Sequence, residues 1–249
     1  MSATDDEFAP VWDEDSLARQ RRLLQQVLRA AESCGIRLFL SWGTLLGYVR
    51  EGRILAWDDD LDLAFFDPAD DYAHRLREAL VAEGVSTHEH VPAGWRTIKA
   101  YNPTSVVQTH NPWTWPFIDI YPYPEVPPLD ESMNTEWPVP RELILPGRLT
   151  IFENLQVWEP EHPLPLLDRQ YPGWRTCEKS TYWNHRLECQ NGPVVSRAIV
   201  TDDYGRKITG EATSDMDKVL EARVRRAIES HFKGRTILLI RHPLDRVAH

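Results

Sequence analysis

The stretch Trp42–Phe66, WGTLLGYVREGRILAWDDDLDLAFF, decides the fold. Asp58, Asp59 and Asp60 stand in a row, Leu61 and Asp62 follow, and then comes the apolar run Leu63, Ala64, Phe65, Phe66. Side chains of an extended strand alternate faces, so Asp60 and Asp62 share one face while Leu61, Leu63 and Phe65 enter a core on the other. Two neighbouring carboxylates repel each other and require a cation, a proton or a basic neighbour. Upstream, Gly43 and Thr44 open a short helix ending near Arg50, and the free backbone N–H groups at its start can receive a phosphate. Gly52 breaks this helix before the chain crosses to the acidic strand.

Outward from this block, Leu17, Leu24, Val27, Leu28 and Ala31 recur at helical spacing over Ser16–Cys34, with Asp15 or Ser16 as cap and Gly35 as terminator. Ile36–Ser41 is an expected strand. On the other side, Asp67 and Pro68 form a cap and first turn for a helix running to about Glu83. Strands are expected over Val85–His90, Trp95–Tyr101 and Ser105–Thr109, then a loop through NPWTWP, then a strand Phe117–Tyr121. That last strand places Asp119 alone among apolar neighbours, Ile118 and Ile120.

Residues 122–140, rich in proline and acids, read as an irregular loop. Glu142–Leu145, Arg148–Phe152 and Leu155–Trp158 read as strands with turns at Pro146-Gly147 and Glu153-Asn154. A helix follows in PLPLLDRQYPGWR. Strand-like runs at Val194–Thr201 and Arg206–Thr209 flank a turn at Asp202–Gly205, and a helix Ser214–His231 and a strand Thr236–Ile240 finish the chain.

Several chemistries compete for the acidic block. An EF-hand loop through Asp58, Asp60 and Asp62 fails, because Leu63 stands where glycine is needed and Ala69 where glutamate is needed. Asp58-Asp59-Asp60 also satisfies the Asp-x-Asp of a glycosyltransferase that holds a nucleotide-sugar through manganese. With the Gly43-Thr44 turn upstream and Asp119 downstream, the order of parts instead resembles the nucleotidyltransferase fold, in which a Gly-Ser/Thr turn and helix, Asp-x-Asp on a strand and a third acid on a later strand follow one another. Asp58 and Asp59 are read as ligands of a second metal, as a turn cap, or as partners of Arg50 and Arg53. Arg50 and Arg53 either clamp donor phosphates bidentately or balance the aspartates. Lys99, between Ile98 and Ala100, either faces the site as a phosphate ligand or is a solvated strand lysine. His88 and His90 share a strand face without a visible third ligand. Cys177, His185 and Cys189 have only loosely zinc-like spacing, and no zinc site is assigned. There is no nucleophile elbow and no Walker-type loop.

The ordered blocks GTLLGYVREG, AWDDDLD and PFIDIYPY resemble the LicD/fukutin family of phospho-group transferases over roughly Gly35–Trp174. The resemblance implies an α/β (α+β) fold, a nucleotidyltransferase-like mixed sheet with flanking helices. Its domains would be a catalytic domain over residues 1–175 and a small C-terminal extension over 176–249. It further implies metal-dependent transfer of a phospho-substituent, phosphocholine or a polyol phosphate, from a CDP-linked donor to a glycan hydroxyl of the cell-surface polysaccharide type. Asp60, Asp62 and Asp119 would hold Mg²⁺ or Mn²⁺ and act in catalysis, Asp119 also as base. Gly43, Thr44, Arg50 and Lys99 would contact the donor. The expected partners are therefore the CDP-linked donor and a glycan or glycolipid acceptor. A catalytically silent module of the same fold is the remaining alternative.

Composition narrows the partners. Over 249 residues the formal charge is −10, which disfavours a nucleic-acid surface. A hydrophobic share of 42% suffices for one large core. Three cysteines form no even framework, and the acidic N-terminus lacks an apolar signal region. No run reaches membrane-span length. These features point to a cytoplasmic protein, or one peripheral to the membrane.

Overall fold

The computed structural model describes residues 6–67, 71–91, 96–107, 111–124, 139–181, 183–187, 189–190 and 192–208. The chain divides into two compact units, Met1–Lys207 and Ile208–His249, and every element below belongs to the first. The helix expected over Ser214–His231 and the strand expected over Thr236–Ile240 lie outside the described residues.

A seven-stranded mixed sheet runs in the order β3 (Ser86–His90), β4 (Thr97–Val107), β5 (Thr114–Pro124), β2 (Leu61–Asp67), β1 (Phe39–Leu40), β7 (Leu155–Glu159), β6 (Arg148–Phe152). The central pair β2 and β5 is parallel, as is β1 with β7, and the other neighbours are antiparallel. Leu61, Leu63 and Phe65 of β2, Ile118 and Ile120 of β5, and Ile98 and Ala100 of β4 are all buried. They join one core with Leu24, Val27 and Ala31 of α1 (Glu14–Ser33) and Leu76 and Leu80 of α3 (Tyr72–Ala82). Helix α1 starts at Glu14, two residues before the expected start at Ser16. Asp13 and Ser16 close a capping box, with Ser16 N–H donating to Asp13 Oδ1 at 2.7 Å and Asp13 N–H to Ser16 Oγ at 3.0 Å.

Helix α2 spans Trp42–Glu51, one residue ahead of the expected opening at Gly43-Thr44, and Gly52 ends it at φ 69°. Its first residue, Trp42, takes a left-handed φ of 44°, a conformation that costs a non-glycine residue about 1–3 kcal/mol and tends to cluster at functional sites. The two-residue turn Glu153-Asn154, with φ of 51° and 64°, joins β6 to β7 as expected of a tight hairpin.

Four expectations need correction. Asp67 does not cap a helix: it continues β2, in register with Pro124, and α3 begins at Tyr72 after Asp71. Glu142–Leu145 is not a strand but lies in a helical turn, α4 (Arg141–Ile144). The strands expected over Trp95–Tyr101 and Ser105–Thr109 are one strand, β4, irregular between Tyr101 and Val106. The end of the NPWTWP loop, from Thr114, already belongs to β5.

After α5 (Pro163–Gln170), the chain forms β8 (Cys177–Lys179), paired with β11 (Ser196–Ala198), and β9 (Trp183–Asn184), paired with β10 (Cys189–Gln190). Glu178 of β8 is fully buried between two cations, Arg197 Nε at 2.7 Å and Lys207 Nζ at 2.6 Å. These pairs hold the segment together internally, and Lys207 N–H donating to the Arg50 carbonyl at 2.9 Å and the Arg197 guanidinium 4.0 Å from the Phe8 ring centroid fasten it to the rest of the first unit.

Candidate active site

Sheet register builds the site. Asp62 of β2 lies beside Asp119 of β5, Asp119 beside Lys99 of β4, and Lys99 beside His88 of β3. These four positions form one row across four strands, on the face opposite the core. Asp60, at the mouth of β2, completes the group: Asp60, Asp62 and Asp119 each bring a carboxylate oxygen, and these atoms all lie within 4.8 Å of one another. All three are buried, as are Asp58 and Asp59.

Burial and like charge both penalise ionisation here. Burial, then Asp60, then Asp58 and Asp119 push Asp62 well above the usual carboxylate range. Burial, then Asp60 and Asp59, do the same to Asp58. Asp119 is raised mainly by burial, and the Lys99 ammonium opposes that rise. Burial raises Asp59, and His185 pulls it back. Lys99 Nζ donates to Asp119 Oδ2 at 3.0 Å, and Asp119 Oδ1 has no hydrogen-bond partner among the described residues. Lys99 is therefore not a solvated strand lysine. It is buried, with Nζ 4.0 Å from the Phe117 ring centroid and 4.8 Å from that of Trp113.

The start of α2 closes over the acids. Gly43 N–H donates to Asp62 Oδ2 at 3.3 Å, and the Thr44 hydroxyl accepts from Asp62 N–H at 2.7 Å, leaving its own proton to donate. A Cβ on Gly43 would run into Asp58 Oδ2 and stand 3.7 Å from Asp62 Oδ2, so only glycine lets the helix approach this closely.

Arg50 lies at the far end of α2. It donates through Nη2 to the carbonyls of Trp174 and Cys177, the latter at 2.7 Å, and it lines the same cavity. That cavity, about 890 Å³, runs from the acids past Lys99 and Tyr121 to Trp174 and Lys179.

Sequence reasoning does not assign two contributors. Tyr121, two residues beyond Asp119 on β5, is hydrogen-bonded to Asp62 and is detectable by strand parity. His185, from the β9–β10 hairpin, brings Nδ1 to 3.4 Å from Asp60 Oδ2. Its sequence neighbourhood associates it only with Cys177 and Cys189. Among the described residues neither cysteine belongs to a ligand-spaced group, and His185 groups with Asp59 and Asp60 instead. His88 and His90 pack on Trp113, with centroids 5.1 and 5.2 Å away.

A helix N-terminus set against two acids on one strand and a third on the parallel neighbour is the architecture of a nucleotidyltransferase domain. The sequence matches the LicD/FKTN/FKRP nucleotidyltransferase-domain model over residues 35–162, and the chain belongs to that family of transferases. No curated protein matches the chain in sequence. Among solved structures, it is similar to ANT(2″)-Ia in complex with adenylyl-2″-tobramycin, with 17% identity, 57% of this chain and 68% of that chain covered, and a TM-score of 0.38. It is similar to the antibiotic-resistance factor ANT(2″)-Ia in solution, with 16% identity, coverage of 86% and 96%, and a TM-score of 0.41. It is also similar to the Cid1 poly(U) polymerase bound to MgGTP, with 19% identity, coverage of 44% and 32%, and a TM-score of 0.30. The match thus spans about a third of that polymerase's length. No helix among the described residues is long and apolar enough to cross a membrane.

Proposed function

We propose that the chain transfers a phospho-substituent, of the phosphocholine or polyol-phosphate type, from a CDP-linked donor to a hydroxyl of a glycan or glycolipid. The observation that carries this reading is the convergence of Asp60, Asp62 and Asp119 at one end of a cavity large enough for a nucleotide.

The residues fit a divalent cation. Their oxygens are ligand-spaced, their negative charges are buried together, and Asp119 Oδ1 is an orphaned acceptor. Mg²⁺ or Mn²⁺, held by these three carboxylates, would neutralise the donor diphosphate and polarise the bond to be broken.

The acceptor oxygen forms a bond to the transferred phosphorus as the bond to the CMP oxygen breaks, so CMP leaves with that electron pair. The Asp119 carboxylate, whose Oδ2 Lys99 holds, orients the acceptor hydroxyl, and the acceptor proton passes to solvent as the new bond forms. Gly43, at the N-terminus of α2, faces the donor phosphates, and Lys99 and Arg50 supply positive charge along the cavity wall; buried Thr44 is kept from the donor and holds the Asp62 backbone instead.

A thermal-shift panel of CDP-linked compounds and nucleotide-sugars, each with Mg²⁺ or Mn²⁺, tests the donor class, because a ligand of the native state raises Tm. Stabilisation by CDP-linked compounds is expected. Stabilisation by nucleotide-sugars alone would favour the Asp-x-Asp glycosyltransferase reading of Asp58–Asp60. With the donor in hand, chelator should abolish turnover, and Asp60→Asn or Asp62→Asn should lower it more than ~100-fold with the fold intact. Full activity of either variant would refute the metal assignment.

A further inference from the structure

Asp60 belongs to two ligand-spaced groups. One is the carboxylate triad. The other is Asp59, Asp60 and His185, whose ligand atoms also lie within 4.8 Å of one another. Asp59 is 4% exposed; its Oδ2 accepts the Arg186 N–H at 3.0 Å, and its buried Oδ1 has no hydrogen-bond partner among the described residues. A buried carboxylate oxygen without a donor, inside a ligand-spaced group, has the chemistry of a cation ligand.

His185 is held in place from behind. The Arg186 guanidinium stacks 4.4 Å from the Trp115 ring centroid, and Trp115 Nε1–H donates to the Asp59 carbonyl at 2.7 Å. The imidazole itself meets Phe117 edge-on at 6.2 Å. Hairpin, Trp115 and Asp59 are therefore linked in a closed circuit, which holds His185 with Nδ1 3.4 Å from Asp60 Oδ2. Such support by surrounding contacts distinguishes a built metal ligand from a passing histidine.

We propose that Asp59, Asp60 and His185 form a second cation site, adjoining the triad, which prefers a first-row transition ion such as Mn²⁺ over Mg²⁺. The preference follows from ligand type. Mg²⁺ demands oxygen ligands and retains its waters, whereas first-row transition ions accept an imidazole nitrogen, Mn²⁺ the least strongly of them but more readily than Mg²⁺. The inference depends on the proposed function only through Asp60, which both groups share. It also makes the C-terminal segment a contributor of site chemistry as well as a wall of the cavity.

The test uses the full chain and Mn²⁺ alone, with pulsed EPR from substoichiometric to saturating metal. Directly bound imidazole imprints nitrogen modulation on the Mn²⁺ signal. The expected result is modulation in the parent that is lost in His185→Gln, with Mn²⁺ affinity falling ~10–100-fold and Mg²⁺ affinity changing less. Bound Mn²⁺ without nitrogen modulation in the parent would overturn this site and leave the triad and the proposed function standing. Retention of both modulation and affinity in His185→Gln would also overturn it. No Mn²⁺ binding at all would remove both readings. If His185→Gln does not fold, anomalous scattering from Mn²⁺-soaked crystals of the parent decides the matter. An ion about 2–2.5 Å from His185 Nδ1 supports the site, and its absence there overturns it.

Discussion

Replacing Lys99 by methionine tests whether the acid cluster is held together by a buried ion pair. The Lys99 and Asp119 side chains are 4% and 6% exposed and 3.0 Å apart. Asp119 Oδ1 has no partner among the described residues, so the thioether would leave that carboxylate without its ammonium while Asp60 and Asp62 stay close. Breaking a buried pair from one side costs about 3–5 kcal/mol, far more than an exposed pair, because the remaining charge is stranded. The ammonium also lies over two aromatic rings, an arrangement worth about 0.5–2 kcal/mol.

Urea unfolding in EDTA should therefore show Lys99→Met less stable by at least ~3 kcal/mol, or ~6–12 °C in Tm for a chain of this size. Lys99→Met/Asp119→Asn should recover much of the loss, because the stranded charge is gone; the double-mutant cycle isolates that coupling. Mn²⁺ should raise the Tm of Lys99→Met more than that of the parent, since a cation would then replace the missing one. A loss below ~1 kcal/mol together with zero coupling would place the pair among ordinary surface ion pairs and refute the reasoning.

Gly43→Ala should destabilise the protein by about 1–3 kcal/mol, because its methyl would run into the Asp58 carboxylate; an unchanged urea midpoint would show that α2 can retreat. Metal-free stability should rise on mild acidification. Asp58, Asp59, Asp62 and Asp119 have raised folded-state pKa values, so their ionisation penalty is present above those values and relieved as pH falls toward the unfolded value near ~4. In EDTA, Tm at pH ~6 should exceed that at pH ~8, and stabilisation by Mn²⁺ should be greater at pH ~8; a lower Tm at pH ~6 would contradict this. Arg50→Lys should lose about 1.5–3 kcal/mol, because an ammonium on the shorter lysine stem does not occupy the position from which Nη2 reaches both the Trp174 and Cys177 carbonyls; calorimetry would show ~10-fold weaker donor binding if Arg50 also grips phosphate, and parent-like stability would remove the tether.

Local periodicity made the centre of the fold legible. The alternation of Asp62 with Leu61 and Leu63, and of Asp119 with Ile118 and Ile120, is a property of a few consecutive residues, and the sheet follows it. Structure departs from local pattern where distant pairing overrides a local signal. Asp67-Pro68 has the chemistry of a helix start, yet Asp67 completes the β2–β5 ladder opposite Pro124. Asn102-Pro103 looks like a break between two strands, but the chain resumes pairing after an irregularity, the kind of place where a residue without an N–H fits inside a sheet. The run Glu142–Leu145 is too short to separate a period of two from one of 3.6, and the Arg141 carbonyl accepting Leu145 N–H settles it as a helical turn.

The site divides along the same line between local pattern and long-range pairing. Arg50 draws attention because it precedes the acids closely in sequence, but helix geometry separates them. It lies seven residues after Gly43, and at 1.5 Å per residue this is about 10 Å of rise. Its guanidinium therefore works at the opposite end of α2 from Asp62, where it meets the Trp174 and Cys177 carbonyls. Lys99 carries no charge pattern of its own; only the β4–β5 register places it against Asp119. His185 is still less legible, since its approach to Asp60 depends on Arg186 finding Trp115 and Asp59 across the fold. The local pattern thus specifies the carboxylates, and long-range pairing supplies the groups that govern their charge. For that reason the cation content of this site has to be measured on the folded chain through His185, Lys99 and Arg50, and the aspartates alone do not determine it.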